Sequence, residues 1–177
     1  IIDVISSILQ QLAAEPRNLV SDGFDAALDV IKKHLNLNIH RYNTNQKCWT
    51  WIIPPKWEIK DAYIKYKDNI LISYADHPLH VMSYSEPVKM MISGRELLEH
   101  IVVHKLLPQA VPYEFSFYER KWAFCMTHDQ KDKIKKDELY DVCIDSRFVD
   151  GYLSVGEYTI KGTSDEHIFF LSHLDHS

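Results

Sequence analysis

At the end of the chain, Ser172-His173-Leu174-Asp175-His176-Ser177 gathers two imidazoles and a carboxylate into one short turn. A neutral imidazole can bind zinc through one ring nitrogen while a carboxylate two residues away holds the other N–H, which sets both tautomer and ring direction. His173 and Asp175 have that relation, and Asp175 could instead turn toward the metal itself. His176 is a further candidate ligand. An HxD triplet alone is a weak signal in a chain with ten histidines, and a polar strand end accounts for it without any metal. Placement sharpens the reading. The triplet follows His167-Ile168-Phe169-Phe170-Leu171, a continuous apolar run of the kind expected of a strand buried on both faces of an α/β sheet. Folds of that class hold their sites at the carboxyl ends of strands.

The elements that must position this turn are legible upstream. Ile2, Val4, Ile5, Ile8, Leu9 and Leu12 recur at helical spacing until Pro16 ends the ladder. Ser21 and Asp22 are good helix starters before Phe24, Ala27, Leu28, Ile31 and Leu35, and alternation from Leu37 to Tyr42 predicts a strand. From Thr44 the character changes to short β-branched and aromatic runs. Strands are predicted at 56–65, 70–74, 81–84, 88–92, 114–118, 122–126, 139–144, 151–157 and 158–161. Asp68-Asn69 is a tight connection between two of them. Ser93 and Glu96 form a capping-box pattern ahead of a helix carrying Leu97, Leu98, Ile101 and Val102, and a short polar helix is expected over 127–133. So many short strands argue for a mostly antiparallel sandwich or barrel in the middle of the chain.

Composition narrows the function classes. With 177 residues, 46% of them hydrophobic, the chain can bury a substantial core, and a 25% charged fraction is ordinary for a globular protein. The net charge of -5 offers no basic footprint for nucleic acid. Lys131, Lys133, Lys135 and Lys136 are interleaved with Asp129, Asp132, Asp137 and Glu138, which reads as a solvated face. No window approaches the roughly 18 to 20 apolar residues of a membrane span, so no membrane role and a cytoplasmic location are expected, although Ile1 leaves open a leader removed upstream.

Other conspicuous residues have plainer readings. Cys48, Cys125 and Cys143 are odd in number and far apart, in no metal-knot spacing, and Cys125 has no adjacent base that would make it a nucleophile. His77 and His80 read as a turn and an inward-facing strand histidine rather than a second metal site. Trp49, Trp51, Trp57 and Trp122 could line a sugar or peptide groove, but rings this dense in a small β-domain are expected to build its core.

A longer pattern resembles a known group. It comprises Trp51-Ile-Ile-Pro-Pro-Lys-Trp57-Glu-Ile, Asp61-Ala-Tyr63, His77-Pro-Leu-His80-Val-Met-Ser-Tyr84-Ser, Val111-Pro-Tyr113, Phe117-Tyr118, Trp122-Ala-Phe-Cys125, Gly151-Tyr-Leu153, Gly156-Glu157 and Lys161-Gly162. In that order these motifs closely resemble the DUF2172 and DUF4910 group of bacterial aminopeptidase-like proteins. The resemblance implies a zinc-dependent peptidase fold of the M28 type. Residues 1–42 and 163–177 would belong to the α/β peptidase core, and residues 43–162 to an inserted β-rich, sandwich-like or barrel-like domain. His173 would be a zinc ligand, with His176 as its competitor, and Asp175 the catalytic-site carboxylate that orients it. One or two zinc ions would be held jointly with a bridging aspartate, a Glu–Glu pair and later ligands beyond Ser177, so residues 1–177 alone are expected to be inactive. The substrate would be a peptide or amide, with a homo-oligomer left open. The group's turn often carries a cysteine, and that departure, with the aromatic-rich insertion, motivates an alternative: a saccharide-associated binding or processing module on a peptidase-like scaffold.

Overall fold

The computed structural model describes residues 2–13 and 15–176, so Ser177 of the candidate turn lies outside the described residues. The chain begins with α1 (Ile2–Ala13), α2 (Asp22–Lys32), β1 (Asn38–Asn43), β2 (Lys47–Cys48) and β3 (Trp51–Ile52). It continues through β4 (Lys56–Tyr66), β5 (Asn69–Ser73), β6 (Val88–Ser93), α3 (Gly94–Leu97), β7 (Ile101–Val102) and β8 (Phe124–Cys125). The remainder is α4 (His128–Lys131), β9 (Leu139–Val149) and β10 (Tyr152–Glu157). Two compact units result, Ile1–Lys56 with Asp150–Ser177, and Trp57–Val149. Residues 43–56 and 150–162, which the sequence reading groups with the middle, cluster with the flanking segments. The protein is a mixed α/β molecule with several antiparallel sheets, and no helix among the described residues is long and apolar enough to cross a membrane.

In the first unit α2 starts where its cap predicts. The Ser21 hydroxyl accepts the Phe24 N–H at 3.1 Å and donates to the Asn18 carbonyl at 2.8 Å. Two faces of α2 are used. Ala27, Val30 and Ile31 join Ile8 and Leu12 of α1, while Leu28 packs at the β1–β10 ribbon, where a Cβ on Gly156 would lie 3.0 Å from its Cδ2. β2 and β3 form a hairpin whose turn places Trp49 at φ 56 and fully exposed. The expectation that the tryptophans build a core therefore holds for Trp57, which is buried, and is corrected for Trp49. A turn conformation that favours glycine projects its ring away from the hairpin.

The second unit is a four-stranded sheet in the order β5-β4-β9-β6, covered by aromatic packing. Trp57, Ile64, Ile72, Tyr84, Phe124, Tyr140 and Val142 form its interior. Tyr84 stacks 6.1 Å from Trp57 and meets Phe117 edge-on at 5.0 Å. Its φ of 67 turns the chain, so residues 81–84 make only isolated bridges to Phe124 and Phe115 instead of the predicted strand. Buried Ser85 fixes that turn: its hydroxyl donates to the Met82 carbonyl at 2.7 Å, and its own carbonyl accepts from the Trp57 indole and the Ser146 hydroxyl, each at 2.9 Å. Segment 114–118 likewise forms only a bridge. The Ser93–Glu96 capping box is present, but α3 is one turn long and Ile101–Val102 leaves it as a strand parallel to β8. The reason is burial of Ile101 in the sheet core, which outweighs helix continuation.

The largest correction concerns the apolar run before the candidate turn. Residues 163–174 form no helix or strand, and Ile168, Phe169, Phe170 and Leu171 are 85%, 83%, 92% and 96% exposed. Segment 158–161 is also not a strand. A buried strand needs neighbouring backbone to pair its amides, and no strand among the described residues lies beside this run.

Gly94 tests the packing of α3. A Cβ there would overlap the Lys135 carbonyl oxygen, so Gly94→Ala is expected to lower unfolding free energy by about 1–3 kcal/mol in chemical denaturation. The exposed neighbour substitution Arg95→Ala should stay within about 0.5 kcal/mol.

Candidate functional site

The site is built on the helix pair. Ile8, Leu12, Ala27, Val30 and Ile31 form an apolar seat, and Leu174 packs against it. Arg17, one residue after the proline that ends the α1 segment, pins the same turn twice. Its guanidinium Nη1 donates to the Leu174 carbonyl at 2.8 Å, and its own carbonyl accepts the His176 N–H at 3.1 Å. With Leu174 turned inward, His173 turns outward: its side chain is 91% exposed, while Asp175 is 17% exposed.

The His173 Nδ1 lies 3.5 Å from the Asp175 Oδ1, an ion-pair distance rather than a short hydrogen bond. This leaves Nε2 as the nitrogen open to an external ligand. His176 is half-buried. Among the described residues no three His, Cys, Asp or Glu side chains converge. A zinc ion takes four ligands in a structural site and three protein ligands in a catalytic one. The donor set of this turn therefore fits one zinc ligand with an orienting carboxylate, and not a complete site. Sequence reasoning nominates His173 and Asp175 but not Arg17 and the packing of Leu174, which hold their turn, because a contact spanning 157 positions leaves no local pattern.

The other reactive groups are held in structural roles. His77 caps a single turn, its Nδ1 accepting the Leu79 N–H at 3.1 Å, and burial first and the neighbouring His80 second hold its pKa below the usual value. His80 is buried in that turn, not on a strand, with Nδ1 donating to the Cys125 carbonyl at 2.8 Å. Burial, helped by the charge of Glu114, pushes the Cys125 thiol up to about 12, which removes it as a nucleophile at neutral pH. Trp122 stacks on His100 at 3.7 Å between ring centres, and the His100 Nδ1 donates to the Trp122 carbonyl.

A family model described as a domain of unknown function, DUF2172, matches residues 56–147, just over half of the chain. The chain belongs to this family. The DUF2172 match coincides closely with the second compact unit, so the candidate turn lies outside it. A Clostridium acetobutylicum protein is 34% identical over 173 residues, 97% of this chain and 40% of its own length. It is described as a candidate polysaccharide-biosynthesis protein with an aminopeptidase-like domain. A solved structure from the same organism, described as a candidate peptidase, superposes with a TM-score of 0.82 at 34% identity. That match covers 89% of this DUF2172 chain and 37% of the solved one. The chain thus spans about two fifths of the length of the relatives it matches, and they support a peptidase-like family.

Two outcomes test this geometry. Arg17→Met removes a charge-assisted bond that contributes about 1.5–3 kcal/mol. Amide exchange at 174–176 is expected to accelerate by at least about tenfold in hydrogen-exchange mass spectrometry, with α2 unchanged. For Cys125, the folded thiol stays protonated to about 12 whereas the ordinary thiol ionises near 9.0. Between those values the folded state binds more protons, so stability present below pH 9.0 falls as pH rises across the window. Denaturation midpoints from pH 8 to 11 should show that decline, and Cys125→Ala should make it shallower, leaving the part that Cys143 and Tyr74, both also raised by burial, contribute.

Proposed function

We propose that this chain is part of a zinc-dependent aminopeptidase-like hydrolase of the M28 type, related to DUF4910 proteins, acting on peptide or amide substrates in the cytoplasm. The observation that carries the proposal is the pinned turn. Leu174 and Arg17 hold it, and His173 presents an open Nε2 with Asp175 behind its Nδ1. Peptidase-like descriptions of relatives at 34% identity support the same reaction class. When bound, zinc would polarise a scissile carbonyl and lower the pKa of a bound water. His173 would supply one ligand and Asp175 would position the ring, with His176 as the alternative ligand. The remaining ligands would come from outside residues 1–177, so this chain alone would be inactive. The exposed run 168–171 would then pair with backbone of the peptidase core to which residues 1–42 and 163–177 belong, with the β-rich middle as an insertion.

The test uses the full natural protein. His173→Ala is expected to abolish stoichiometric zinc retention and leucyl-anilide hydrolysis together. Asp175→Asn should weaken zinc affinity by about 10–100-fold while leaving some activity at saturating metal. Unchanged metal content and turnover in His173→Ala overturn the assignment.

A second reading is favoured by Trp49, which is fully exposed at a hairpin tip, and by the polysaccharide-biosynthesis description of one relative. An open indole face can stack on a sugar ring, so the chain would act as a saccharide-associated module. A glycan-array screen tests it, with binding expected to disappear in Trp49→Ala; an array without any binder counts against it.

A further inference from the structure

A groove of about 250 Å³ lies between α2 and β1 in the first unit, lined by Asp25, Leu28, Asp29, Lys32, Ile39 and Arg41. The helix residues fall on one face by their spacing, and Ile39 and Arg41 share one face of the strand. Two of the polar groups are held in place. Asp25 Oδ1 accepts the Ser154 hydroxyl at 2.6 Å, and the Arg41 guanidinium sits 4.3 Å from the centre of the Tyr152 ring. Among the described residues neither acid forms an ion pair with Lys32 or Arg41, although all four line one cavity. Leu28 and Ile39 supply an apolar floor, drawn close by the lack of a side chain at Gly156.

Two acids and two bases make a simple ion a poor occupant, because whichever pair attracts it is offset by the other. A ligand carrying both signs satisfies both pairs at once. The volume lies just below the roughly 300–1,000 Å³ of drug-sized sites, which limits the occupant to something small. We propose that this groove binds a small zwitterion, a free amino acid or dipeptide, with its ammonium on Asp25 and Asp29, its carboxylate on Lys32 and Arg41, and an apolar side chain on Leu28 and Ile39. The proposal does not depend on the hydrolase reading, since no residue of the metal turn lines the groove. Holding Asp25 and Arg41 in advance reduces the ordering cost of binding.

The experiment is a two-dimensional amide NMR titration of this chain with L-leucine, L-leucinamide and N-acetyl-L-leucine. The amide lacks the carboxylate and the acetyl derivative lacks the ammonium. Leucine is expected to give saturable shifts centred on Leu28, Ile39 and Arg41, with each analogue weaker by about fivefold or more. Asp29→Asn and Arg41→Gln, both at exposed positions, should each weaken leucine by a similar factor with the remaining spectrum unchanged. Three ligands of equal affinity, leucine affinity unaltered in both variants, or no saturable shift up to the solubility of leucine would each overturn the assignment.

Discussion

β9 lies between β4 and β6, so both edges of its backbone are paired, and the aromatic interior of the second unit is built on that strand. Pairing of buried amides is the constraint on which the rest depends. It permits Tyr140, Val142 and Ile144 to be buried together with the backbone that carries them. The same constraint acts in the opposite sense at Ile168–Leu171. Those side chains are as apolar as any in β9, but no neighbouring strand among the described residues pairs with their backbone, and they stay exposed. Hydrophobic composition nominates a strand, and a partner strand admits it to an interior.

The candidate turn is ordered by a different means. It borrows the apolar seat made by α1 and α2 and a bidirectional contact to Arg17, so its conformation does not need the exposed run to be paired. Leu174 packs partly buried against that seat and the Asp175 side chain beside it is 17% exposed, whereas the His173 side chain is 91% exposed. Burial of Asp175 beside it restricts the carboxylate and places it at the inner ring nitrogen. Under the proposed function this turn would contribute one ligand to a cation held jointly with residues elsewhere, because among the described residues no three His, Cys, Asp or Glu side chains converge.

Polar groups in the second unit show why several reactive-looking residues are structural. Ser85, Ser146 and the Trp57 indole form a buried set of hydrogen bonds around a left-handed Tyr84, and His80 and His100 each donate to a carbonyl of the 122–125 segment. These side chains donate to backbone carbonyls of the unit, where a buried polar group left without any partner would cost about 1–3 kcal/mol. Cys125 belongs to the same interior, which is why its thiol is held neutral instead of activated.

Local grammar was legible in the residues themselves. Ser21 and Ser93 announced helix starts, Pro16 announced a helix end, and alternation through Ile39 or Ile64 announced strands, because caps, breakers and periodicity act within a few positions. The pairing of His173 with Asp175 was likewise readable, since two residues of spacing set its distance. What only the tertiary structure decided were the relations between distant segments. These include Arg17 on Leu174, the fate of the 168–171 run, the outward Trp49, the left-handed turn at Tyr84 and the mixed-charge groove between α2 and β1. Each depends on which surfaces meet and which backbone finds a partner, and contacts across many tens of residues leave no period or cap in the order of the amino acids.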